Sequence, residues 1–484
     1  MDVVFIADFG SSNVRVHAID VADGHIVTQH SMKYPILSPQ SGYFEHDPEQ
    51  MWQYSVACMR GVLDDLNGSV HIHALSFSHI GSSLVPMDAQ GRATYNCILG
   101  MDSRAGIEGE ELRQRMGDRA DGLNTSFTFA DLSPMAKTLY LRKHMPQVAA
   151  DSCYYVSIQQ YILSCLGLDM SWDATEAGSH SCFDNLRRQW SLDVLEAAQI
   201  NPSTLGRVVL SHEIVGTITH YGDVAFSHPV PVVIGGHDAV MGTIGMGVFD
   251  EMDDAVAEVT GSVDVFCFLM NEIFCYSAEQ LSSARDGALL MCEPGPLKDT
   301  TMCLCGLKTA GAVIEWFLRE MCGGMKGDLF ADLWGNIRLD GKGRVSVHPN
   351  FADAAGGITG LDISVTKYDV FKACIEAITY EICYLLQSSQ TIKHGPCARV
   401  RIGGGHANAD RWVQFRADLS GRTYERMSNN EASALGTAVL AAYGVGLYPS
   451  IGDAVASMVR IKDCFVPNPE VHEAYREKLQ RILG

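Results

Sequence analysis

The feature that most constrains the fold of this chain is a strand-turn-strand pattern near its N-terminus. Residues 3–8 form an apolar run that ends in an acid, Asp8, and residues 9–13 are a cluster of turn-forming residues. The alternating segment 14–20 then predicts a second strand. Since another turn at residues 22–24 precedes a third apolar stretch, we expect a three-stranded antiparallel start.

The same pattern recurs in the second half of the chain. Residues 254–259 form a strand-like run, residues 260–262 (Thr-Gly-Ser) form a small turn, and a second strand-like run covers 263–266. A chain of 484 residues is too long for one ordinary core, so at least two domains are expected. Two related halves, with a boundary near residues 245–249, explain the recurrence.

Two further strand-like segments end in glycines. They are residues 232–238, Val-Val-Ile-Gly-Gly-His-Asp, and residues 400–405, Val-Arg-Ile-Gly-Gly-Gly. Residues 309–322 and 368–387 carry apolar residues at the three-to-four spacing of helices. Strands that alternate with helices predict an α/β architecture. Because no low-complexity linker separates the halves, we expect two domains packed closely around a cleft.

The composition narrows the classes of partner. Apolar residues make up 47% of the chain and charged residues 19%, which is the balance of a folded globular enzyme. The formal net charge of -21 disfavours nucleic acid and anionic membrane as partners. A site for a polyanion such as ATP must therefore concentrate positive potential, and backbone amides and a divalent metal ion are its expected sources.

Cysteine usage and the start of the chain indicate the compartment. The 15 cysteines are scattered and lack zinc-binding spacing, which indicates free thiols in a reducing cytoplasm. The first residues lack the basic region of a signal peptide, and no run of about 18 apolar residues is present. We therefore expect a cytoplasmic protein. Its oligomeric state is left open, with a homodimer as one option.

The glycine turns are suited to binding phosphate. Glycine lets the backbone approach an anion because no Cβ intervenes, and the N–H groups can then point at it. For residues 10–12 and 260–262 alike, the alternative is an ordinary hairpin turn, but their matching positions favour phosphate binding. No GxxxxGK[ST] segment exists, and residues 403–405 are not a full GxGxxG, so Walker-type and dinucleotide-binding sites are disfavoured.

Three side chains near predicted strand ends could carry chemistry. Asp8 could hold a hydrated magnesium ion beside phosphates, the alternative being a turn-forming aspartate. Asp238 could accept the proton of an attacking hydroxyl, the alternative being a helix N-cap for residues 239–245. His79 could hydrogen-bond a sugar, the alternative being a structural histidine.

Eight segments, taken in order, carry a family resemblance. They are residues 8–15, 101–104, 173–179 with Phe183, Asp184 and Trp190, 235–238, 260–262, 309–316, 403–405 with Asn408 and 414–418, and 431–438. Together they resemble the FGGY carbohydrate kinases, the family of glycerol kinase, xylulokinase and L-fuculokinase. The resemblance implies an actin-like ATPase fold, with two ribonuclease-H-like domains around a central cleft, and it implies ATP and Mg²⁺. It divides the chain into an N-terminal sugar-binding domain, 1–246, and a C-terminal nucleotide-binding domain, 247–484.

The resemblance also implies roles for individual residues. Asp238 would be the general base, and Asp8 would lie beside the metal. The residues implied to face the sugar are Ser78, His79, Asp102, Arg104 and Asp238. Those implied to hold the nucleotide are Ser11, Ser12, Asn13, Thr260, Gly261, Gly311, Glu315, Gly404, Gly405 and Asn408.

The activity implied is transfer of the γ-phosphoryl group of ATP to a hydroxyl of a small sugar, ketose or polyol. The alternative is a catalytically silent actin-like protein that binds ATP or sugar for regulation. Asp238, Asp102 and Arg104 disfavour a pure ATP switch, because a switch needs no sugar contacts. The presence of both Asp8 and Asp238 disfavours a sugar sensor with an inactive kinase site.

One position departs from the family pattern. Gly100 stands where many members carry a tryptophan ahead of the acid-arginine pair, so a flat wall of the sugar pocket is missing. The aromatic candidates to fill the space are Phe77, Tyr95 and Phe127. Residues 77–83 also differ from the Gln-Met-His-Gly run of xylulokinases, which argues against that activity. The sugar therefore stays open.

Overall fold

The computed structural model describes residues 1–68, 70–126, 128–261, 263–277, 280, 288–307, 309–324, 328–351 and 356–483. Ser262 of the second predicted phosphate turn and the aromatic candidate Phe127 lie outside the described residues. The described chain is a mixed α/β structure with two seven-stranded sheets, which confirms the predicted fold class. Across these residues, no helix is both long and apolar enough to cross a membrane.

The first half contains one large sheet and the helices that cover it. Its strands are β1 (Asp2–Phe9), β2 (Asn13–Asp20), β3 (Ile26–Lys33), β4 (Glu45–His46), β5 (His71–His79), β6 (Val85–Met87), β7 (Cys97–Ile98), β8 (Tyr154–Val156), β9 (Ser171–Asp173), β10 (Phe183–Asp184), β11 (Gln189–Trp190), β12 (Arg207–Val209), β13 (Ile214–Tyr221), β14 (Val224–Val233) and β15 (Gly236–His237). Its helices are α1 (Pro48–Leu66), α2 (Gly106–Met116), α3 (Pro134–His144), α4 (Pro146–Asp151), α5 (Ile158–Cys165), α6 (Ala174–Ser179), α7 (Leu192–Ala197) and α8 (Asp238–Gly245). Short 3₁₀ helices cover Gly117–Gly122 and Pro202–Thr204.

The second half contains the other large sheet. Its strands are β16 (Ala255–Thr260), β17 (Asp264–Met270), β18 (Ala288–Pro294), β19 (Thr301–Leu307), β20 (Ser346–His348), β21 (Gly357–Thr359), β22 (Arg399–Gly404), β23 (Thr423–Met427) and β24 (Ile461–Phe465). Its helices are α9 (Gly311–Cys322), α10 (Leu329–Asn336), α11 (Lys367–Ile392), α12 (Asp410–Ser420), α13 (Ala432–Gly444), α14 (Ile451–Met458) and α15 (Pro469–Leu483), with a 3₁₀ helix at Gly405–Asn408. The helices predicted at 309–322 and 368–387 are confirmed as α9 and α11.

Strand β1 is the centre of the first sheet, whose order is β13-β14-β5-β1-β2-β3, with β15 paired to β5. β1 and β2 are antiparallel, as are β2 and β3, which confirms the predicted three-stranded start. β1 is also parallel to β5. Because successive side chains of a strand point to opposite faces, Val3 and Phe5 enter one core while Val4 and Ile6 enter another.

The second sheet repeats this arrangement. Its order is β18-β19-β17-β16-β22-β23-β24. β16 is antiparallel to β17 and parallel to β22, just as β1 is antiparallel to β2 and parallel to β5. The recurrence read from the sequence is therefore confirmed. The first sheet ends at His237 and the second begins at Ala255, while the domain boundary after residue 246 stays a prediction.

Helices α8 and α13 join the two halves at very short range. A Cβ atom on Gly436 would lie 1.8 Å from the carbonyl oxygen of Met241, and one on Gly245 would lie 1.9 Å from that of Ala432. Only glycine permits such contact between helix backbones. The apolar side chains around this contact belong to both halves and form one shared core.

Candidate active site

Three neighbouring strand ends bring the first-half candidates together. In the register of the sheet, Asp8 on β1 is opposite Ser78 on β5, and Ser78 is opposite Gly236 on β15. These strands are parallel, so their ends lie at one edge of the sheet. Asp238 follows β15 directly as the first residue of α8. The predicted base and the predicted metal ligand therefore share one sheet edge.

Asp238 is the more accessible of the two acids. Its side chain is 38% exposed, whereas the side chain of Asp8 is only 7% exposed. The N-cap position of α8 is held by His237, so the alternative role of Asp238 as the helix cap is wrong. Desolvation by the surrounding protein raises the pKa of Asp238, and the positive charge of the neighbouring His237 opposes this rise. A carboxylate that is open to a ligand and has a raised pKa suits proton acceptance.

His237 links Asp238 to the second half of the chain. Its Nε2 atom lies 3.4 Å from Oδ1 of Asp238, and its Nδ1 atom lies 3.0 Å from Oε1 of Glu293 on β18. Burial disfavours a charged imidazole, but the charges of Glu293 and Asp238 outweigh it and raise the pKa of His237 to about 10. Sequence reasoning missed this role. The one feature of the sequence that could have indicated it is Glu293, a single acid inside the otherwise apolar strand β18.

His79 lies inside the first half. It is fully buried, Gln159 Nε2 donates to its Nε2 atom at 3.0 Å, and its Nδ1 atom lies 3.7 Å from Glu176. Burial and the charge of His237 lower the pKa of His79 to about 3, so its imidazole is neutral. These contacts fit the structural alternative, and a contact of His79 with sugar stays a prediction.

Asp102 and Arg104 form a buried ion pair. Nε and Nη2 of Arg104 donate to the two carboxylate oxygens of Asp102 at 2.8 and 2.7 Å, and Nη2 also donates to Glu45 at 2.6 Å. The backbone N–H of Phe44 donates to Asp102 at 2.6 Å, and the Tyr43 ring lies 4.1 Å from the guanidinium carbon. Both side chains are thus engaged by protein groups, and their contact with sugar stays a prediction.

Gly100 lies against the loop that follows β5. A Cβ atom on Gly100 would lie 3.2 Å from the carbonyl oxygen of Gly81. A Cβ atom on Gly81 would in turn lie 2.4 Å from Nε2 of His237, which adjoins Asp238. The buried amino group of Lys137 donates to the carbonyls of Leu99 at 2.7 Å and Gly100 at 3.1 Å and fixes the backbone around Gly100. Gly100 is therefore close to the predicted base.

Two of the aromatic candidates for the space beside Gly100 have other contacts. Phe77 is fully buried in the core of the first half. The hydroxyl of Tyr95 donates to Oε1 of Glu45 at 2.8 Å, so this ring belongs to the cluster around Arg104. Neither ring replaces the wall that a tryptophan would form.

Thr260 on β16 is the counterpart of Asp8 on β1. Its register partner on β22 is Gly404, its hydroxyl donates to Gly403 at 2.8 Å, and it accepts from the N–H of His406 at 3.0 Å. Gly404 has φ +91°, and a Cβ atom there would lie 2.1 Å from the carbonyl oxygen of Thr260. Only glycine fits this position. The two predicted glycine motifs of the second half thus meet at one sheet edge.

Gly261 and Gly311 are in direct backbone contact. The N–H of Gly311 donates to the carbonyl of Gly261 at 3.1 Å, and a Cβ atom on Gly311 would lie 2.4 Å from that oxygen. Since α9 begins at Gly311, the N-terminus of this helix adjoins the second turn. Helix N-termini attract anions, as a phosphate site requires.

The other nucleotide candidates lie at the surface. The exposed ones are Ser11, Ser12, Glu315, Gly405 and Asn408, while Asn13 is partly exposed. Asn13 accepts a hydrogen bond from the N–H of Gly10 at 3.0 Å, which closes the first turn beside Asp8. These positions are open to a ligand, and their contact with a nucleotide stays a prediction.

A buried ion cluster supports the second turn. Nη2 of Arg416 donates to Asp264 at 2.9 Å, and Asp264 accepts from the N–H of Gly261 at 3.2 Å. Glu258 is also hydrogen-bonded to Arg416, and all three charged side chains are fully buried. Sequence reasoning missed this cluster because its members come from β16, β17 and α12.

Asp8 lies where the two halves meet. Nη1 of Arg15 is 3.6 Å from Oδ2 of Asp8 and is hydrogen-bonded to Glu431, which immediately precedes α13. Burial, together with the negative charge of Asp238, raises the pKa of Asp8 to about 7. One ligand atom each from Asp8, His17 and Glu431 lie within 4.8 Å of one another. A cation held here would relieve the repulsion among these acids.

Comparison with known families decides what this arrangement is. The model of the FGGY family of carbohydrate kinases, N-terminal domain, matches residues 3–245, and that of the C-terminal domain matches residues 340–445. The chain belongs to the FGGY family of carbohydrate kinases. This FGGY kinase is an ATP-dependent phosphotransferase with an alcohol group of a sugar as acceptor.

Individual relatives agree with this assignment. A xylulose kinase of Staphylococcus epidermidis is 24% identical over 98% of this chain and 95% of its own. The structure of a ligand-bound xylulose kinase from Lactobacillus acidophilus gives a TM-score of 0.86 at 18% identity and covers 100% of this chain and 97% of that one. A Plasmodium falciparum glycerol kinase with ADP gives 0.85 at 18% identity, with 100% and 99% coverage. The FGGY kinase thus has the actin-like ATPase fold, and the catalytically silent alternative receives no support.

Proposed function

We propose that this FGGY kinase uses Asp238 as the general base to phosphorylate a hydroxyl of a small sugar, ketose or polyol. The observation that supports this role most directly is the position of Asp238. Its carboxylate is accessible, lies at the same sheet edge as Asp8, and is held by an imidazole that binds Glu293 from the other sheet. Residues from both halves of the protein therefore determine the position of the Asp238 carboxylate.

On the acceptor side, Asp238 orients the hydroxyl and takes its proton. The O–H bond breaks as the oxygen forms its bond to the γ-phosphorus, and the bond to the β-phosphate oxygen breaks to release ADP. The charged His237, 3.4 Å from Asp238, fixes the orientation of this carboxylate before the transfer. Residues 1–246 form the sugar-binding side in this proposal, with Ser78, His79, Asp102 and Arg104 near the acceptor.

On the nucleotide side, backbone N–H groups hold the phosphates. The first turn offers those of Ser11 and Ser12, and the second offers those around Gly261, with the N-terminus of α9 beside it. Such donors are preorganised, so they stabilise transferring phosphoryl groups without rearrangement. Residues 247–484 form this side, with Thr260, Gly404 and Asn408 nearest the nucleotide.

Mg²⁺ fits the surroundings of Asp8. The carboxylates of Asp8 and Glu431 supply the oxygen ligands that Mg²⁺ prefers, and the charges of Asp238 and Glu431 add to the effect of burial in raising the pKa of Asp8. When bound, the ion neutralises charge on the β- and γ-phosphates. Asp8 would hold it, and Arg15, whose Nη1 atom lies 3.6 Å from Asp8 and is hydrogen-bonded to Glu431, would keep both carboxylates in place.

The compartment and assembly of the enzyme are part of this proposal. The free thiols among its 15 cysteines support a reducing compartment, the cytoplasm. A homodimer is our hypothesis for its assembly because twofold dimers are the commonest oligomers. Light scattering from the purified protein would test it, and a monomeric mass would contradict it.

The role of Asp238 is tested with Asp238→Asn and a sugar panel of ketopentoses, 6-deoxy-ketohexoses, aldonates, polyols and linear dihydroxy-ketones. ADP release is followed with and without each sugar. We expect the variant to fold and bind ATP but to lose roughly 10²–10⁴-fold in kcat, the usual size of a general-base effect. Asp169→Asn, at an exposed position, is the matched control and should keep full activity. Retention of more than about a tenth of wild-type kcat by Asp238→Asn would contradict the role.

A further inference from the structure

Two cysteines of the second half lie side by side. The thiol of Cys292 donates a hydrogen bond to Cys275 with a sulfur-to-sulfur distance of 3.5 Å. Cys292 lies on β18, and Cys275 lies in the segment that follows β17. Sulfur atoms in a disulfide are about 2.0 Å apart, so the two sulfurs must approach each other by roughly 1.5 Å for a bond to form.

The two thiols differ in reactivity. Cys275 is partly exposed, and the hydrogen bond from Cys292 together with the guanidinium of Arg188 lowers the pKa of its thiol. Cys292 is buried, and its pKa is raised by its contact with Cys275 and by burial. Nη2 of Arg188 donates to Thr300 at 2.7 Å, while its Nε and Nη1 atoms have no hydrogen-bond partner among the described residues. Cys275 is therefore the thiol that reacts first with an oxidant.

The pair also lies at the contact between the two halves. The carbonyl of Cys292 accepts hydrogen bonds from Ser126 at 2.7 Å and from Asn185 at 2.9 Å, and both donors belong to the first half. The next residue is Glu293, whose carboxylate binds His237. A movement of Cys292 is therefore passed directly to the group that holds His237.

We propose that Cys275 and Cys292 are a reversible oxidation site at which a hydroperoxide forms a disulfide beside the active site. The Cys275 thiolate attacks one oxygen of hydrogen peroxide, the O–O bond breaks, and a sulfenic acid forms with release of water once the leaving oxygen is protonated. The Cys292 sulfur then attacks the Cys275 sulfur, the S–O bond breaks, and a second water leaves. The two sulfurs together lose two electrons and two protons, and the peroxide is reduced to two waters.

The effect on activity rests on the proposed function. Disulfide formation draws Cys292 towards Cys275, which displaces Glu293 from its 3.0 Å contact with His237. Asp238 then loses its fixed orientation. We expect kcat to fall by roughly 10–100-fold, up to the effect that a misplacement of about 1 Å can produce, and a dithiol reductant to restore it.

The experiment treats the full-length protein with hydrogen peroxide, alkylates the remaining thiols, and maps the peptides by mass spectrometry without reductant. We expect one cross-linked peptide pair containing Cys275 and Cys292, which dithiothreitol releases. Cys275→Ser should prevent the cross-link and keep its activity in peroxide. Cys153→Ser, which removes an exposed thiol elsewhere, should behave as wild type.

The peptide map tests whether the oxidation site exists, and the kcat measurement tests whether its oxidation affects activity. If both thiols remain alkylatable after peroxide, or if Cys275 is found joined to another cysteine, the oxidation site is overturned. If the expected cross-link forms while kcat is unchanged, the coupling through Glu293 is overturned and the site stands. The peptide map does not depend on turnover, so it decides the site even if the proposed role of Asp238 fails. Circular dichroism confirms that each variant is folded.

Discussion

The carboxylate of Glu293, on the second sheet, lies 3.0 Å from Nδ1 of His237, on the first. This contact spans the two halves of the kinase and ends on the neighbour of Asp238. Because the imidazole can donate from both nitrogens when charged, it can hold Glu293 and Asp238 at once. The position of the proposed base therefore depends on how the two halves are packed together.

Replacing Glu293 by glutamine removes this charge with little change in shape. We expect the pKa of His237 to fall from about 10 towards its ordinary value, because the carboxylate that favours the imidazolium is lost. In Glu293→Gln, kcat should fall by roughly 10–100-fold while KM for ATP changes little, since positioning of the base is impaired. The pH profile should gain a decline as pH rises through the lowered pKa of His237. Glu320→Gln, at an exposed position, is the control, and an unchanged kcat and pH profile in Glu293→Gln would contradict the prediction.

Asp8 should lower the stability of the ligand-free protein above neutral pH. Its pKa in the folded state, about 7, lies above the ordinary value of 3.8, so folding favours the protonated acid. The stability that this provides is fully present below pH 3.8 and is lost as pH rises through about 7. Without ligands, Asp8→Asn should therefore be more stable than wild type at pH 8, by roughly 1–3 kcal/mol, and the difference should shrink at pH 5. Urea unfolding at the two pH values measures this.

The same substitution should damage turnover. Asp8→Asn loses the proposed ligand for Mg²⁺, so the Mg²⁺ requirement should rise and kcat should fall far more than sugar binding weakens. Titration of Mg²⁺ in a steady-state assay gives both quantities. An unchanged rate and an unchanged Mg²⁺ requirement would show that Asp8 is a structural residue only.

A tryptophan at Gly100 should reduce activity on the true substrate. Its Cβ atom would lie 3.2 Å from the carbonyl oxygen of Gly81, and the indole would crowd the loop beside His237. We expect kcat/KM to fall for every active sugar, and we expect glycerol to be a poor substrate of the wild type because it fills so little of the site. The comparison is kcat/KM of wild type, Gly100→Ala and Gly100→Trp across the sugar panel. If tryptophan leaves all values unchanged, or if glycerol is the best substrate, Gly100 does not line the pocket.

An alanine at Gly436 should destabilise the contact between the halves. Its Cβ atom would lie 1.8 Å from the carbonyl oxygen of Met241, so α8 and α13 must separate. We expect a loss of roughly 1–3 kcal/mol in the free energy of unfolding, as for other overpacked core sites. Gly335→Ala is the matched control, since its Cβ meets no atom within 4 Å and helix propensity should make it neutral or stabilising. Equal melting temperatures for the two variants would contradict the close packing.

The parts of the site that could be predicted from the sequence are those whose conformation is set by a short segment of chain. The alternating strands and glycine turns at residues 3–20 and 254–266 are local patterns, so the pairing of β1 with β2 and of β16 with β17 followed from them. The family resemblance predicts that Gly404 and Gly311 contact the nucleotide, and the close backbone approaches at both positions explain why glycine stands there.

The interior ion pairs could not be anticipated in the same way. Asp102 and Arg104 are predicted to face the sugar, and the structure adds that both belong to a hydrogen-bonded cluster that includes Glu45, far away in the chain. Residues this far apart in the chain meet only when strands and loops pack together, and no local pattern in the sequence predicts such a contact. The burial of His79 is another result of packing rather than of its neighbours along the chain.

The sequence by itself determined the α/β class, the repeated halves, and the acids at strand ends, because periodicity and turn chemistry act over a few neighbouring residues. The tertiary structure decided which charges meet. Glu293 reaches His237, Glu431 reaches Arg15, and Arg416 reaches Asp264 only because sheets and helices from different parts of the chain pack together. A buried charge requires a partner, so these long-range ion pairs determine which side chains of the site are charged. The pairs themselves exist only in the folded chain.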